Sequence, residues 1–189
     1  MRVERDNVTR EEAIRFYVVY DCGKKNLNLS LDFDTWPWHN PEGLDEKLDE
    51  NKLKKGVLAA YRTWKLVELG VADLLECAIV NHIFPKEPQV LGQLVLRGNL
   101  AEWLPNGAPE WWRDIGNGSE FGVGSELILR RSLPSERPAK WYIEDGSGRA
   151  LALLQRSLRY AELGRTVRAY LGDEPDECSA FIKLHPELK

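Results

Sequence analysis

The chain has 189 residues, of which 43% are hydrophobic and 30% are charged, and its formal net charge is -4. This length and balance indicate one well-buried domain with an extension and exclude a disordered chain. No apolar run approaches the roughly 20 residues of a membrane-spanning helix, and the amino terminus lacks the apolar run of a signal peptide. We therefore expect no integral membrane segment. The widely spaced Cys22, Cys77 and Cys178 argue against a disulfide framework or a zinc site.

The amino-terminal part of the chain is predicted to be mainly helical. A helix is expected to begin at Thr9 and to end near Gly23, because apolar and aromatic residues recur between them at helical spacing. Residues 26 to 32 alternate between polar and apolar, which predicts a short strand. Residues 44 to 76 then carry an apolar pattern typical of a helical hairpin.

Short strands alternate with helices from about residue 88 onward, which predicts a mixed α/β (α+β) domain. Leu151, Leu154, Leu158 and Ala161 mark the apolar face of the main helix, and Gly164 is expected to end it. A Gly/Ser-rich stretch precedes the second strand and indicates a loop. The predicted strands span residues 90 to 96, 126 to 131, 140 to 145 and 166 to 171, a short helix spans 108 to 115, and the loop spans 116 to 125.

Basic residues concentrate in this carboxyl-terminal part. Residues 126 to 170 carry nine Lys/Arg against five Asp/Glu, a net charge of +4, which leaves -8 for the rest of the chain. Such an excess attracts a nucleotide or a phosphodiester backbone, although a solvated surface produces similar counts. The charge pattern therefore permits an anion site without requiring one.

A glycine-containing turn joins a predicted strand directly to the main helix at residues 145 to 149. The first turn of a helix leaves backbone N–H groups unpaired and carries a partial positive charge, so an anion there gains hydrogen bonds and a favourable field. Gly146 and Gly148 allow close backbone approach, and Ser147 adds a hydroxyl donor. Arg149 supplies a guanidinium suited to phosphate. The pattern predicts a phosphate-binding turn.

Two carboxylates stand at the start of this turn. Neighbouring residues of a strand point to opposite faces, so only one of Glu144 and Asp145 is expected to reach the site, and we favour Asp145. That carboxylate would hold Mg²⁺, orient an attacking water or accept a hydroxyl proton, and Glu144 is kept as the other candidate catalytic residue. Glu120 and Glu126 are further candidates for a second carboxylate.

A purely structural interpretation fits the same residues. Asp145 or Ser147 would then cap the helix, and Arg149 would pair with a nearby carboxylate. A Gly-x-Gly spacing alone is a weak motif, so the spacing does not choose between the two interpretations.

Residues 88 to 171 resemble the ParB/sulfiredoxin superfamily in the order of their elements. Members share a strand, a Gly-x-x-Arg turn, an alanine-containing helix, a Leu-Gly pair and a final strand, and this chain has IEDGSGRALALL, then Leu163-Gly164, then RTVRAYL. The strand ELILRR also matches a family strand that ends in a basic residue. Sulfiredoxins carry a cysteine and a histidine where this chain has Ser147 and Gly148, which argues against peroxiredoxin repair.

The resemblance implies a ParB/sulfiredoxin-like mixed sheet at residues 86 to 172, a mainly helical addition at 1 to 85 and a tail at 173 to 189. Short members with such an addition are similar to plasmid-borne fertility-inhibition proteins. That similarity implies ATP hydrolysis and DNA cleavage with Mg²⁺, used to block conjugative or T-DNA transfer through a type IV secretion system. It implies nucleotide contacts for Gly146, Ser147, Gly148 and Arg149, and Mg²⁺ binding for Asp145.

Further basic residues are candidates for anion contacts. Arg130 would extend the nucleotide site, while Arg131, Arg156 and Arg159 would follow a DNA backbone. Since Arg130 and Arg131 are adjacent in a strand, at most one of them is expected to reach the site. A solvated surface is an equally good interpretation of the helical pair.

Two other functions stay open. A non-catalytic inhibitor would bind a secretion or coupling protein and use the nucleotide as a switch, and a ParB-like kinase would phosphorylate a small-molecule hydroxyl. We expect the protein in the cytoplasm, or at the inner membrane surface through a partner.

Overall fold

The computed structural model describes residues 1–10, 12–13, 16, 60–79, 89–96, 126–133, 139–161 and 163–175. These residues form seven strands and three helices. In chain order the elements are β1 Arg2–Val8, β2 Tyr61–Gly70, α1 Val71–Leu75, β3 Cys77–Ile79, β4 Gln89–Val90, α2 Leu91–Leu96, β5 Leu127–Arg131, β6 Trp141–Asp145, α3 Ser147–Tyr160 and β7 Thr166–Pro175.

All seven strands belong to one sheet in the order β1-β2-β7-β5-β6-β3-β4. β7 runs parallel to β5 and β6 runs parallel to β3, while the other neighbours are antiparallel. A strand from the end of the described chain therefore lies inside the sheet, between β2 and β5. The predicted mixed α/β class is confirmed, and strands from both sides of residue 86 share the sheet.

The two faces of the sheet differ in chemistry. On the face that we call the helix face, apolar strand residues pack against all three helices, and the buried members include Val67, Leu129, Ile143, Leu171, Leu74, Leu94, Leu151 and Leu154. Each fully buried leucine of this set stabilises the fold by about 1.5 to 3 kcal/mol. The other face, which we call the polar face, carries Arg130, Tyr142 and Glu144 near its centre, all of them buried.

The strand, turn and helix that hold the predicted site form where the sequence predicts them. β5, β6 and β7 lie where strands were predicted, and β7 continues to Pro175. α3 forms because Ala150, Leu151 and Leu154 place a buried stripe at helical spacing on the helix face. The helix does not end at Gly164, however. Ala161 takes the left-handed conformation with φ 55°, and its N–H donates to the carbonyl of Ser157.

The predicted helical hairpin is wrong over residues 61 to 70, which form β2, whereas residues 71 to 75 of the predicted range are helical as α1. Tyr61, Trp64 and Val67 have the i, i+3 spacing of a helix, and all three are buried. Trp64 and Val67 nevertheless point to opposite faces of a strand that is covered on both sides. Register irregularities between Tyr61 and Trp64 further disturb the alternation that would have marked a strand.

The mainly helical amino-terminal addition is likewise not seen in the described residues. Arg10, Glu12, Ala13 and Phe16 are helical, as the prediction from Thr9 required, but β1, β2 and β3 also precede residue 86. The strand predicted over 90 to 96 is wrong as well, because only Gln89–Val90 pairs and Leu91–Leu96 is helical. The predictions for residues 26 to 32, 44 to 59, 108 to 115 and 116 to 125 lie outside the described residues.

Candidate active site at the start of helix α3

The turn into α3 depends on a glycine. Gly146 has φ 87° and ψ 17°, in the left-handed region that favours glycine, and its carbonyl accepts the first helical hydrogen bond from Ala150 at 3.0 Å. A Cβ at Gly146 would lie 2.5 Å from Leu127 Cδ2 and 2.8 Å from Arg149 Nη2. A larger residue at this position would therefore adopt an unfavourable φ and would force Leu127 or Arg149 to move.

The N-cap residue of α3 is Gly146, which has no side chain with which to cap the helix. Asp145 lies immediately before this glycine, and Ser147 is the first helical residue. The first turn of α3 itself carries no acidic residue.

Arg149 and Asp145 form a buried ion pair across the turn. Arg149 Nη2 donates to Asp145 Oδ2 at 3.0 Å, and the two side chains are 2% and 11% exposed. The guanidinium thus lies beside Gly146, where the sequence predicted it, but its charge is balanced by a carboxylate. The pairing of Arg149 with a nearby carboxylate, which the structural interpretation predicts, is therefore confirmed.

The accessible part of the turn is small. Gly146 and Ser147 are partly exposed, whereas Gly148 and Arg149 are buried. An anion reaching this point from solvent would first meet the backbone and the hydroxyl of Ser147. Arg149 would contribute directly only if the anion competed with Asp145 for the guanidinium.

Glu144 lies away from this turn. Its Oε1 accepts from Arg130 Nε at 2.5 Å on the polar face, and the side chains of the pair are 7% and 3% exposed. The Arg130 guanidinium also stacks on the Tyr142 ring at 4.7 Å. Of the two adjacent carboxylates, Asp145 is therefore the one beside Arg149, and Arg130 does not extend the turn.

A second carboxylate of the polar face belongs to an ion pair that the sequence did not predict. Glu126 is 4% exposed and accepts a hydrogen bond from Arg168 Nη2. Burial, then the charges of Glu12 and Glu126, raises the pKa of the nearby Tyr170 to about 12. Glu126 is thus paired with Arg168, and Glu120 lies outside the described residues.

Arg131 takes part in a different network, at the far end of β5. Its Nε donates to Asp173 Oδ1 at 3.0 Å, and Lys65 Nζ lies 2.8 Å from Asp173 Oδ2. Burial opposes ionisation of Asp173, but the hydrogen bonds from Lys65 and Arg131 outweigh it and lower the pKa of the carboxyl group. Arg131 and Lys140 also flank the Trp141 ring at 5.3 Å and 5.0 Å.

The other predicted arginines lie apart from the turn or outside the described residues. Arg156 is partly buried two turns beyond Arg149, and the side chain of Arg159 lies outside the described part of the chain. Arg130, predicted to extend the nucleotide site, lies on the polar face, and Arg131, predicted to follow a DNA backbone, lies at the opposite end of β5 from the turn.

A metal ion would find few ligands at the turn. No group of three or more His, Cys, Asp or Glu that could hold a metal ion occurs among the residues that the structure describes. Asp145 is the carboxylate beside Arg149, and Glu144 faces away from it. Mg²⁺ is often bound by one or two carboxylates together with substrate phosphates, so Asp145 fits this ion only when phosphate oxygens complete its coordination.

Comparison of the chain with protein-family models, with curated proteins and with solved structures finds no match. The ParB/sulfiredoxin resemblance therefore stays a prediction from the residues that carry it. Within the described ranges, no helix is long and apolar enough to cross a membrane.

Proposed function

We propose that the turn at residues 145 to 149 binds the phosphate groups of a nucleotide and that the protein hydrolyses ATP there with Mg²⁺. The observation that carries the proposal is the start of the 14-residue helix α3 at Gly146, with the Arg149 guanidinium folded against that glycine. The backbone amides of a helix start, the helix dipole and a guanidinium are groups that recognise a phosphate.

The ion pair between Asp145 and Arg149 affects how a phosphate binds at the turn. A phosphate carries more negative charge than a carboxylate and competes with Asp145 for the Arg149 guanidinium, which would stabilise charge on the reacting phosphoryl group. Asp145 would hold Mg²⁺ together with phosphate oxygens, and the ion would supply neutralisation of the developing negative charge.

DNA cleavage and inhibition of type IV secretion belong to the same proposal, and they rest on the resemblance to ParB/sulfiredoxin proteins. Arg131, with 47% of its side chain exposed, would contact the DNA backbone. It lies at the opposite end of β5 from the turn, so DNA contact and nucleotide contact would be separable. Arg131→Ala is expected to weaken DNA binding and to leave ATP hydrolysis unchanged.

The test adds a negative charge at the turn. Ser147→Glu places a carboxylate at the first position of α3. There it interacts favourably with the helix dipole and occupies the phosphate position. We expect an unchanged or higher melting temperature together with loss of ATP binding, measured by calorimetry with Mg²⁺. Gln155→Glu, which adds the same charge two turns along the helix, should bind ATP as the wild type does.

Arg149 provides the second test. Arg149→Ala should lower ATP hydrolysis about a hundredfold or more, because the guanidinium supplies charge stabilisation in the transition state. Since this side chain is buried, Arg149→Lys, which keeps the positive charge, controls for loss of folding. ATP binding and hydrolysis that survive Ser147→Glu would contradict the proposal.

A second function is favoured by a specific observation. The Asp145–Arg149 pair is buried and internally neutral, as a purely structural ion pair would be. In that case the protein would be a non-catalytic inhibitor that docks on a secretion or coupling protein. This alternative would be identified if the Ser147→Glu variant failed to bind ATP but still inhibited DNA transfer in cells.

A further inference from the structure

One residue of β6 stands out of register just before the turn. Leu129 pairs with Ile143 and Ile128 pairs with Asp145, so β6 advances by two residues where β5 advances by one. Glu144 is the extra residue. Such a β-bulge re-aims the side chains next to it and is common beside functional sites.

The side chain of the bulge residue is anchored. Glu144 Oε1 accepts from Arg130 Nε at 2.5 Å, and both side chains are buried. Arg130 Nη1 in turn donates to the Tyr61 hydroxyl at 3.4 Å. That hydroxyl donates to the backbone carbonyl of Arg131. The anchor therefore ties β6 to β5 and, through Tyr61, to β2.

Burial makes this pair an inefficient way to stabilise a protein. Two charges removed from water lose hydration that their mutual attraction only partly restores, and apolar residues of similar volume would often serve stability as well. The best-supported use of buried polar groups is to fix one register among several. At this position, the register in question is that of the bulge.

A slip of the bulge would move Asp145. Without the extra residue, the pairing of Leu129 with Ile143 would continue regularly and set Ile128 opposite Glu144. A one-residue slip sends side chains to the other face of a sheet. Asp145 would then no longer reach Arg149, and α3 would start from a different direction.

We propose that Glu144 and Arg130 are positioning residues, which hold the bulge of β6 so that Asp145 faces Arg149 at the first turn of α3. Their side chains pair with each other on the polar face, and both residues act on the turn through the backbone of β6. This inference rests on the proposed function only for its effect on nucleotide binding.

The experiment replaces both charges together. The double variant Arg130→Met/Glu144→Leu keeps the volume of the pair and leaves no unpaired buried charge, so it should fold with a melting temperature close to that of the wild type. We expect ATP affinity with Mg²⁺ to fall roughly ten- to a hundredfold, because small misplacements of binding groups have effects of this size. The crystal structure of the variant should show the 3.0 Å contact between Arg149 Nη2 and Asp145 Oδ2 broken.

A matched control removes an ion pair that joins β1 to β2. Arg2→Met/Glu68→Leu changes two charges that are joined at 2.7 Å on strands that do not pair with β6. This variant should keep the ATP affinity of the wild type and the contact between Asp145 and Arg149. An equal loss of affinity in both double variants would overturn the proposal, because the loss would then follow from the removal of any ion pair and not from the bulge.

The structural readout separates this proposal from the proposed function. A folded Arg130→Met/Glu144→Leu protein that retains the bulge and the Asp145–Arg149 contact refutes the positioning role, whatever binds there. If the wild type binds no ATP, nucleotide binding at the turn is refuted, while loss of the contact in the double variant still supports positioning. If Arg130→Met/Glu144→Leu fails to fold while Arg2→Met/Glu68→Leu folds, the buried pair is a requirement for folding, and the proposal is overturned.

Discussion

Arg130 and Arg131 are neighbours on β5, yet they belong to opposite kinds of electrostatic environment. Arg130 is 2% exposed and pairs with a buried glutamate, whereas 47% of the Arg131 side chain is exposed in its network with Asp173 and Lys65. Both are ion pairs of similar length. Because water screens the second pair and not the first, solvent access determines what each contributes.

The largest expected effect comes from breaking the buried pair on one side. Glu144→Leu leaves the Arg130 guanidinium buried without its carboxylate, which should lower the free energy of unfolding by about 3 to 5 kcal/mol. Urea denaturation of the wild type and the variant measures the difference. If the free energy of unfolding falls by less than about 1 kcal/mol, the usual contribution of an exposed pair, the buried pair of Arg130 contributes no more than the accessible pair of Arg131.

The next largest effect is expected at Gly146 in the turn, and Gly164, which follows the end of α3, provides the comparison. Gly146→Ala forces a Cβ into the left-handed region and against Leu127, and it should cost about 2 to 4 kcal/mol. Gly164→Ala meets nothing within 4 Å and should change stability by less than about 0.5 kcal/mol. Thermal unfolding of the two variants side by side checks the contrast, and equal losses would mean that α3 starts differently.

A smaller effect is expected from the exposed network. Asp173→Asn should cost at most about 1 kcal/mol at neutral pH, because its partners Arg131 and Lys65 are accessible to water. The pKa of Asp173 is lowered in the folded state, so its contribution is present above the ordinary value of about 3.9 and is lost as the pH falls through the folded value. Unfolding free energies measured from pH 7 downward should therefore converge for the wild type and the variant below about pH 4. A difference that persists in acid would show that packing, and not charge, is lost.

The smallest effect appears only in alkali. Burial, followed by the charges of Glu12 and Glu126, raises the pKa of Tyr170 to about 12. Between pH 10 and this value the unfolded chain loses the phenol proton before the folded one, so stability falls as pH rises. Tyr170→Phe should remove that slope, and ultraviolet titration of tyrosinate should give the raised pKa directly. An ordinary pKa near 10 would contradict the burial of this ring against Phe16.

The sequence predicted the part of the fold in which local pattern and tertiary environment agree. β5, β6 and α3 have apolar residues at the expected spacing because one side of each packs on the same core. β1 was missed because its residues from Arg2 to Asn7 are exposed, so no apolar alternation marks it. β2 was mistaken for a helix because it is buried on both faces.

The candidate site was predicted only in part for a similar reason. Local spacing was enough to place Gly146 and Arg149 at the start of a helix, but strand alternation predicted only that one of Asp145 and Glu144 would face the site. The partners of Arg130 and Glu126 were not predictable, because they are set by how β5 pairs with β6 and β7. A charged residue in a strand such as LILRR was the available signal, since buried charges almost always have a partner.

The position of β7 has a consequence for how the molecule forms. This strand is the last described one in the chain, yet it joins β2 on one side and β5 on the other. Until it emerges from the ribosome, the β1–β2 pair and the β5–β6 pair cannot become a continuous sheet, and each presents an edge open to wrong pairing. Assembly therefore waits on contacts distant in sequence, which slow folding and make the nascent chain a candidate for chaperone protection.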